Sequence, residues 1–284
     1  MKHNFKVTLI LVTLFLLAQL TGLIVISNYI TTQDVVKEVE VDGIKQEIIV
    51  QVQNWNELPY GIERPEVEES RSYVGIAISI LIATSLALLL IKFEAKLLWK
   101  IWFFLSVLFT LSIAFNAFIL QNLAIVFALF LTIWKVFKNN VYVHNFTELF
   151  IYGGLAVIFV PILNIVSIFV LLFLISLYDM YAVWKSKHMI KMAKFQAKMK
   201  LFAGLLIPYG KKKTAILGGG DLGFPLIFTG VVFKNSGWEA LIIVLTTTIA
   251  LWLLLIKSKK NRYYPAMPFI SIGCLVGYLL TLLI

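Results

Sequence analysis

Residues 164–184 read NIVSIFVLLFLISLYDMYAVW, and residues 214–233 read TAILGGGDLGFPLIFTGVVF. Each is an apolar run of about twenty residues, the length a helix needs to cross a bilayer. Each carries a single acid, Asp179 in the first and Asp221 in the second. Working outward, the rest of the 284-residue chain has the same character, with 60% hydrophobic and 14% charged residues. A soluble domain carries about 25% charged residues, so the class is set by composition. Nine such runs can be drawn, at about 6–29, 73–92, 97–116, 119–137, 146–162, 164–184, 214–233, 238–256 and 265–284. The expected fold is all-α, a polytopic membrane protein with nine transmembrane helices.

The expected organisation is a single membrane domain in three stretches. Residues 1–137 hold helices one to four and an outer loop, 31–72. Residues 138–213 hold helices five and six and a basic loop. Residues 214–284 hold helices seven to nine. No internal repeat is visible, which removes support for an inverted-repeat transporter. The first run, Val7 to Ile26, follows Lys2 and Lys6; its apolar core is long and no Ala-x-Ala site follows, so it reads as a retained helix.

Charge orients the chain. With the N-terminus in the cytoplasm, 20 of the 25 basic residues fall on the inner side. They are Lys2 and Lys6; Lys92, Lys96 and Lys100; Lys135 and Lys138; nine lysines from Lys185 to Lys213; and Lys257, Lys259, Lys260 and Arg262. Such a bias in short loops predicts a multi-pass cell-membrane protein with the N-terminus inside and the C-terminus outside. The net charge of +10 is thereby read as topogenic, and nucleic acid is not expected as a partner. The lone Cys274 excludes an intrachain disulfide, and His3, His144 and His188 are too scattered for a metal site. No cofactor is implied, and the sequence carries no signal for an oligomeric state.

The outer loop holds 10 of the 15 acidic residues. Val35–Val41 and Ile44–Val52 flank Asp42-Gly43, a two-residue hairpin signal. The hairpin reads as a solvated cap or as a docking surface for substrate ectodomains. In the sixth loop Met189, Met192, Gln196 and Met199 recur at helical spacing beside a stripe of Lys187, Lys191, Lys194 and Lys198. That pattern predicts a helix lying on the inner membrane surface. Asn145-Phe-Thr147 matches a glycosylation sequon but falls on the cytoplasmic side, so it is discounted.

Five acids remain. Glu94, Glu148 and Glu239 are each placed where they can reach an interface. Asp179 and Asp221 are not, and an aspartate is too short to snorkel. A carboxylate in hydrocarbon costs at least about 2.5–3.5 kcal/mol on insertion scales and marks a functional site by default. No span is expected to hold a basic residue that would neutralise them. Asp179 lies six residues before Lys185 and Asp221 eight after Lys213, depths of about 9 and 12 Å at helical rise. The two can face each other. Close carboxyls in a low dielectric share a proton, and such a pair can serve as base toward water and acid toward a scissile carbonyl. The alternatives are two protonated acids holding helices together, or a proton relay in a transporter.

Gly218, Gly219 and Gly220 precede Asp221. Glycine in a helix costs up to about 1 kcal/mol; here it would let an extended substrate approach, or let helices pack closely. Span nine opens with Pro265-Ala266-Met267-Pro268, whose prolines prevent a regular helix start.

Tyr178-Asp179, Gly218-Gly219-Gly220-Asp221 and Pro265-Ala266-Met267, in that order and in spans six, seven and nine, together resemble the presenilin and signal peptide peptidase family of intramembrane aspartyl proteases, in particular its archaeal homologues. The family motif at the last position is Pro-Ala-Leu, so Met267 is a departure, of similar volume. The resemblance is specific from about residue 165 onward. It implies that Asp179 and Asp221 are catalytic, that Tyr178 and Gly218 to Gly220 shape the substrate site, and that Pro265, Ala266 and Met267 contact a transmembrane peptide or protein substrate. Prepilin-type peptidases share Gly-x-Gly-Asp but lack the proline motif, and are the alternative.

Overall fold

The computed structural model describes residues 4–41, 44–65, 71–138, 140–186, 188–199, 201–210, 213–259 and 264–284. The helices are α1 (Phe5–Asn28), α2 (Ser72–Lys92), α3 (Lys96–Asn116), α4 (Gln121–Lys138), α5 (Val141–Phe159), α6 (Ile165–Met180), α7 (His188–Met199), α8 (Gly219–Ser236), α9 (Leu241–Lys257) and α10 (Met267–Thr281). Two antiparallel hairpins interrupt them: β1 (Ile30–Val41) with β2 (Ile44–Trp55), and β3 (Gly204–Tyr209) with β4 (Lys213–Gly218). All but α7 are apolar helices, so the described residues carry the expected nine. Among them α8 and α9 share one apolar stretch of 39 residues, and α10, at 15 residues, is the shortest.

Both close boundaries fall where small polar residues and proline interrupt the apolar pattern. α3 stops at Asn116 and α4 starts at Gln121. α5 unwinds into a tight turn at Val160–Ile162, and Asn164 restarts the chain, its side chain accepting the Ser167 N–H at 2.7 Å. That cap satisfies a donor which a helix start would otherwise leave without a partner.

At the centre of the bundle α1 packs against α5, α8 and α9. Phe15, Leu23, Val25 and Ile26 of α1 are wholly buried. Lipid tails are as apolar as leucine, so membrane helices gain from close backbone approach rather than from hydrophobic transfer. Gly273 and Gly277 of α10 do this against α9, where an added Cβ would lie 2.9 Å from Thr247 Cα and 2.7 Å from Ile243 Cα. By contrast α2 buries only Ser72 and Ala87.

The largest departure from expectation is at span seven. Residues 213–218 form a strand, and the helix begins only at Gly219. Thr214 and Ile216 favour the pleat, while the run of glycines resists a helix until the chain meets β3. Counting depth from Lys213 at helical rise therefore does not hold, because a strand rises about 3.3 Å per residue. The fold is all-α with two hairpins added. The outer hairpin forms with strands longer than expected; its Asp42 and Gly43 lie outside the described residues, and Val41 pairs with Ile44.

The α7 segment is helical, as its spacing predicts. Its apolar face meets protein: Met192, Phe195 and Met199 pack on a cluster containing Ala87, Trp99, Val136 and Leu201, with the Phe195 and Trp99 rings 5.5 Å apart.

Candidate active site

Asp179 is the penultimate residue of α6 and only 5% exposed. The helix widens immediately afterwards into a π-turn, Tyr181–Lys185, a distortion that often accompanies function. The Asp179 Oδ2 accepts the backbone N–H of Met267 at 3.1 Å, and the Ala266 backbone also faces that carboxyl. These are donors at the start of α10. Pro268 has no N–H, and Ala266 offers no side-chain cap. The start of α10 is thus capped from another helix.

Asp221 is the third residue of α8, half-buried, with its carboxyl turned back toward the Gly218 backbone. This is one half of a capping box, in which an acid at the third helical position reaches the residue before the helix; Gly218 has no side chain to supply the other half. The Asp179 and Asp221 carboxyls lie within reach of each other's charge. Each also sits at the positive end of a helix, Asp179 at α10 and Asp221 at α8.

The glycines differ from one another. A Cβ on Gly218 would lie 3.3 Å from Asp221 Oδ2, and one on Gly219 would lie 2.8 Å from the Tyr152 hydroxyl oxygen. Gly220 is exposed, and a Cβ there would meet only Phe224 at ordinary contact distance. The Gly219 N–H donates to Ala203 O at 3.0 Å, tying the start of α8 to the residue before β3. From α1, the buried Gln19 donates through Nε2 to Leu222 O at 2.9 Å.

Tyr178 reaches α7, with its hydroxyl 2.7 Å from His188 Nε2. Partial burial holds the His188 imidazole below its usual range. Pro265, Ala266 and Met267 are buried, and it is the Met267 and Ala266 backbone that meets the Asp179 carboxyl.

Two expectations are corrected here. Glu148 does not reach an interface, and Lys135 is not a loop charge. Both side chains are 1% exposed and paired, with Lys135 Nζ 2.6 Å from Glu148 Oε1. Lys135 also donates to Thr147 Oγ1 at 2.8 Å. Glu148 Oε2 accepts the Gly204 N–H at 2.9 Å and the Tyr152 hydroxyl. Spans four and five thus contain a base and a third acid. Lipid would not tolerate either charge alone, and burial against each other removes the need to snorkel. The spacing Glu148-x-x-x-Tyr152 on one helical face was the available signal. Gln19, the only amide between Val7 and Ile26, was another.

The model of the family described as signal-peptide peptidase, presenilin aspartyl protease matches residues 48–284. No curated protein matches the chain. Among solved structures it is similar to a presenilin family intramembrane aspartate protease in two crystal forms. Against the C222 form the TM-score is 0.59 at 18% identity, covering 95% of this chain and 94% of that one. Against the P2 form the TM-score is 0.62 at 18% identity, covering 96% of each. The chain belongs to the signal-peptide peptidase and presenilin family of aspartyl proteases. It is an intramembrane aspartyl protease, an aspartic endopeptidase embedded in the bilayer.

Proposed function

We propose that Asp179 and Asp221 are the catalytic pair, and that the enzyme hydrolyses peptide bonds of transmembrane segments presented as an extended strand. The observation that carries this reading is the convergence of two carboxyls at the starts of α8 and α10. One carboxyl is ionised and takes a proton from water. The other is protonated and donates to the scissile carbonyl oxygen as the water oxygen bonds to carbon. As the tetrahedral intermediate collapses, the carboxyl that took the water proton gives it to the leaving amine, the other carboxylate takes a hydroxyl proton as the carbonyl reforms, and both acids are back in their starting states. Asp179 and Asp221 should be described as titrating together.

A helical substrate hides each carbonyl in an i to i+4 bond, so it must unwind first. Its freed groups then need partners in hydrocarbon. The outward edge of β4 supports such a role. Gly204 and Leu206 point their backbone groups toward α5, so Leu205, Ile207 and Tyr209 point toward β4. By the same pleat Thr214, Ile216 and Gly218 of β4 point outward, three residues short of Asp221 at the nearest. A substrate strand adding there runs directly past the catalytic carboxyls.

The orientation proposed is N-terminus cytoplasmic and C-terminus outside. Without Lys135, 19 of the remaining 24 basic residues still lie on the inner side. Single cysteines at Asn235 and Lys259 in a Cys274→Ser background test it. Labelling from outside intact cells is expected at 235 only; labelling at 259 overturns the orientation.

The test of the catalytic pair is incubation of purified protein with single-span peptides, with products read by mass spectrometry. Asp179→Asn and Asp221→Asn should each abolish cleavage with the fold retained. Turnover above a few per cent of wild type in either variant removes that residue from the chemistry.

A further inference from the structure

The outer edge of β3 is already occupied. Gly204 donates its N–H to Glu148 Oε2 at 2.9 Å, and its carbonyl lies 2.7 Å from His144 Nε2. Two residues on, Leu206 donates to Asn145 Oδ1 at 3.0 Å and accepts from Asn145 Nδ2 at 2.7 Å. Both backbone groups of two alternate strand residues are therefore paired by one turn of α5. The next outward position is Pro208, which has no N–H to pair. A neighbouring strand would make the same bonds at the same two-residue interval.

We propose that His144, Asn145 and Glu148 act as a surrogate strand, positioning residues that clamp the hairpin to α5 so that β4 alone receives substrate in a single register. The clamp holds the hairpin on a membrane-embedded helix, and the same hairpin runs into Asp221 through Gly218. Lys135 pairs with Glu148 from α4, so the acceptor for Gly204 is fixed in place by a second helix. Asn145 is the member with no ionisable group. It matches both groups of Leu206, donor to acceptor and acceptor to donor, through one planar amide. The Asn145-Phe-Thr147 motif, discounted as a sequon, thus has a structural use: Asn145 holds the strand, and Thr147 accepts from Lys135.

A strand that loses one neighbour can slip, and slips of two residues keep the same side chains on the same face. Loosening the clamp should therefore loosen the sheet edge that receives substrate, let substrate add in registers two residues apart, and spread the cleaved bonds in steps of two residues.

This inference rests on strand addition at β4, and the experiment separates the two. The full-length enzyme is incubated with one single-span peptide, and product termini and KM and kcat are measured for Asn145→Ala, Asn145→Asp and Ile216→Pro. Asn145→Ala should add products displaced by two residues and raise KM several-fold, with kcat within about two-fold of wild type. Asn145→Asp, which keeps the acceptor for the Leu206 N–H, should fall between, and serves alone if the alanine variant does not fold. A wild-type product set in the asparagine variants overturns the clamp. Ile216→Pro removes an outward N–H of β4 without touching a bond to β3. It should abolish cleavage; wild-type cleavage there overturns strand addition itself, whereas loss there with wild-type products from the Asn145 variants overturns the clamp alone.

Discussion

Oδ2 of Asp179 accepts the backbone N–H of Met267 at 3.1 Å, across 88 residues of sequence. One carboxyl therefore has two duties. It faces its partner Asp221, and it caps a helix whose own start, Pro265-Ala266-Met267-Pro268, has no side chain that can do so. The proline motif and the aspartate of span six are one structural unit.

The first prediction separates those duties. Asn at 179 keeps an acceptor for the Met267 N–H but loses the titrating proton. Asp179→Asn should unfold within a degree or two of wild type while being inactive. Asp179→Ala should lose about 0.5–2 kcal/mol, the usual range for a lost helix cap. Thermal unfolding in detergent measures both. Equal melting temperatures for the two variants would show that the cap carries no stability.

The second concerns the glycines before Asp221. At Gly219 a methyl group would lie 2.8 Å from the Tyr152 hydroxyl oxygen, whereas at Gly220 it would meet Phe224 at 3.5 Å or more. Gly219→Ala should therefore displace Tyr152 and lower stability. Gly220→Ala should be neutral or slightly stabilising, by up to about 1 kcal/mol from helix propensity. Any loss of activity in Gly220→Ala then reports on substrate approach. Melting temperatures that fall equally in both variants would contradict this difference.

The third concerns the buried ion pair. Removing one partner leaves a bare charge in the bundle. Lys135→Met should cost about 3–5 kcal/mol, the range for breaking a buried pair. Lys135→Met combined with Glu148→Gln should recover much of that, since no net charge remains. Stability in detergent is the readout. A double variant no more stable than Lys135→Met would show that the two residues do not act as a pair.

The fourth is the pH profile of cleavage. At low pH both carboxyls are protonated and no base remains to activate water. At high pH both are ionised and no acid remains to protonate the carbonyl. The rate should be bell-shaped, and its two limbs belong to the pair rather than to either residue. Single-turnover rates across pH 4 to 10 check it. A rate still rising at pH 9 points to another base.

What the sequence determined by itself is whatever depends on local composition. Apolar runs of helix length made the class and the span count legible, because every backbone polar group in lipid must be paired within its own segment. Asp179 and Asp221 stood out because an unpaired carboxylate in such a run has no local remedy. The start of α8 was decided by the tertiary structure: residues 214–218 continue the apolar run of span seven, and only the presence of β3 makes them a strand. Lys135 and Glu148 were misplaced for a related reason. Each lies near the end of its apolar run, and an interface was the local remedy; the fold instead supplied each to the other. The cap from Asp179 to Met267 was likewise invisible in sequence, since an unpaired N–H at a helix start shows a need but not its partner. Hydropathy and the need to pair polar groups act residue by residue, while the identity of each pair is set only when distant segments meet.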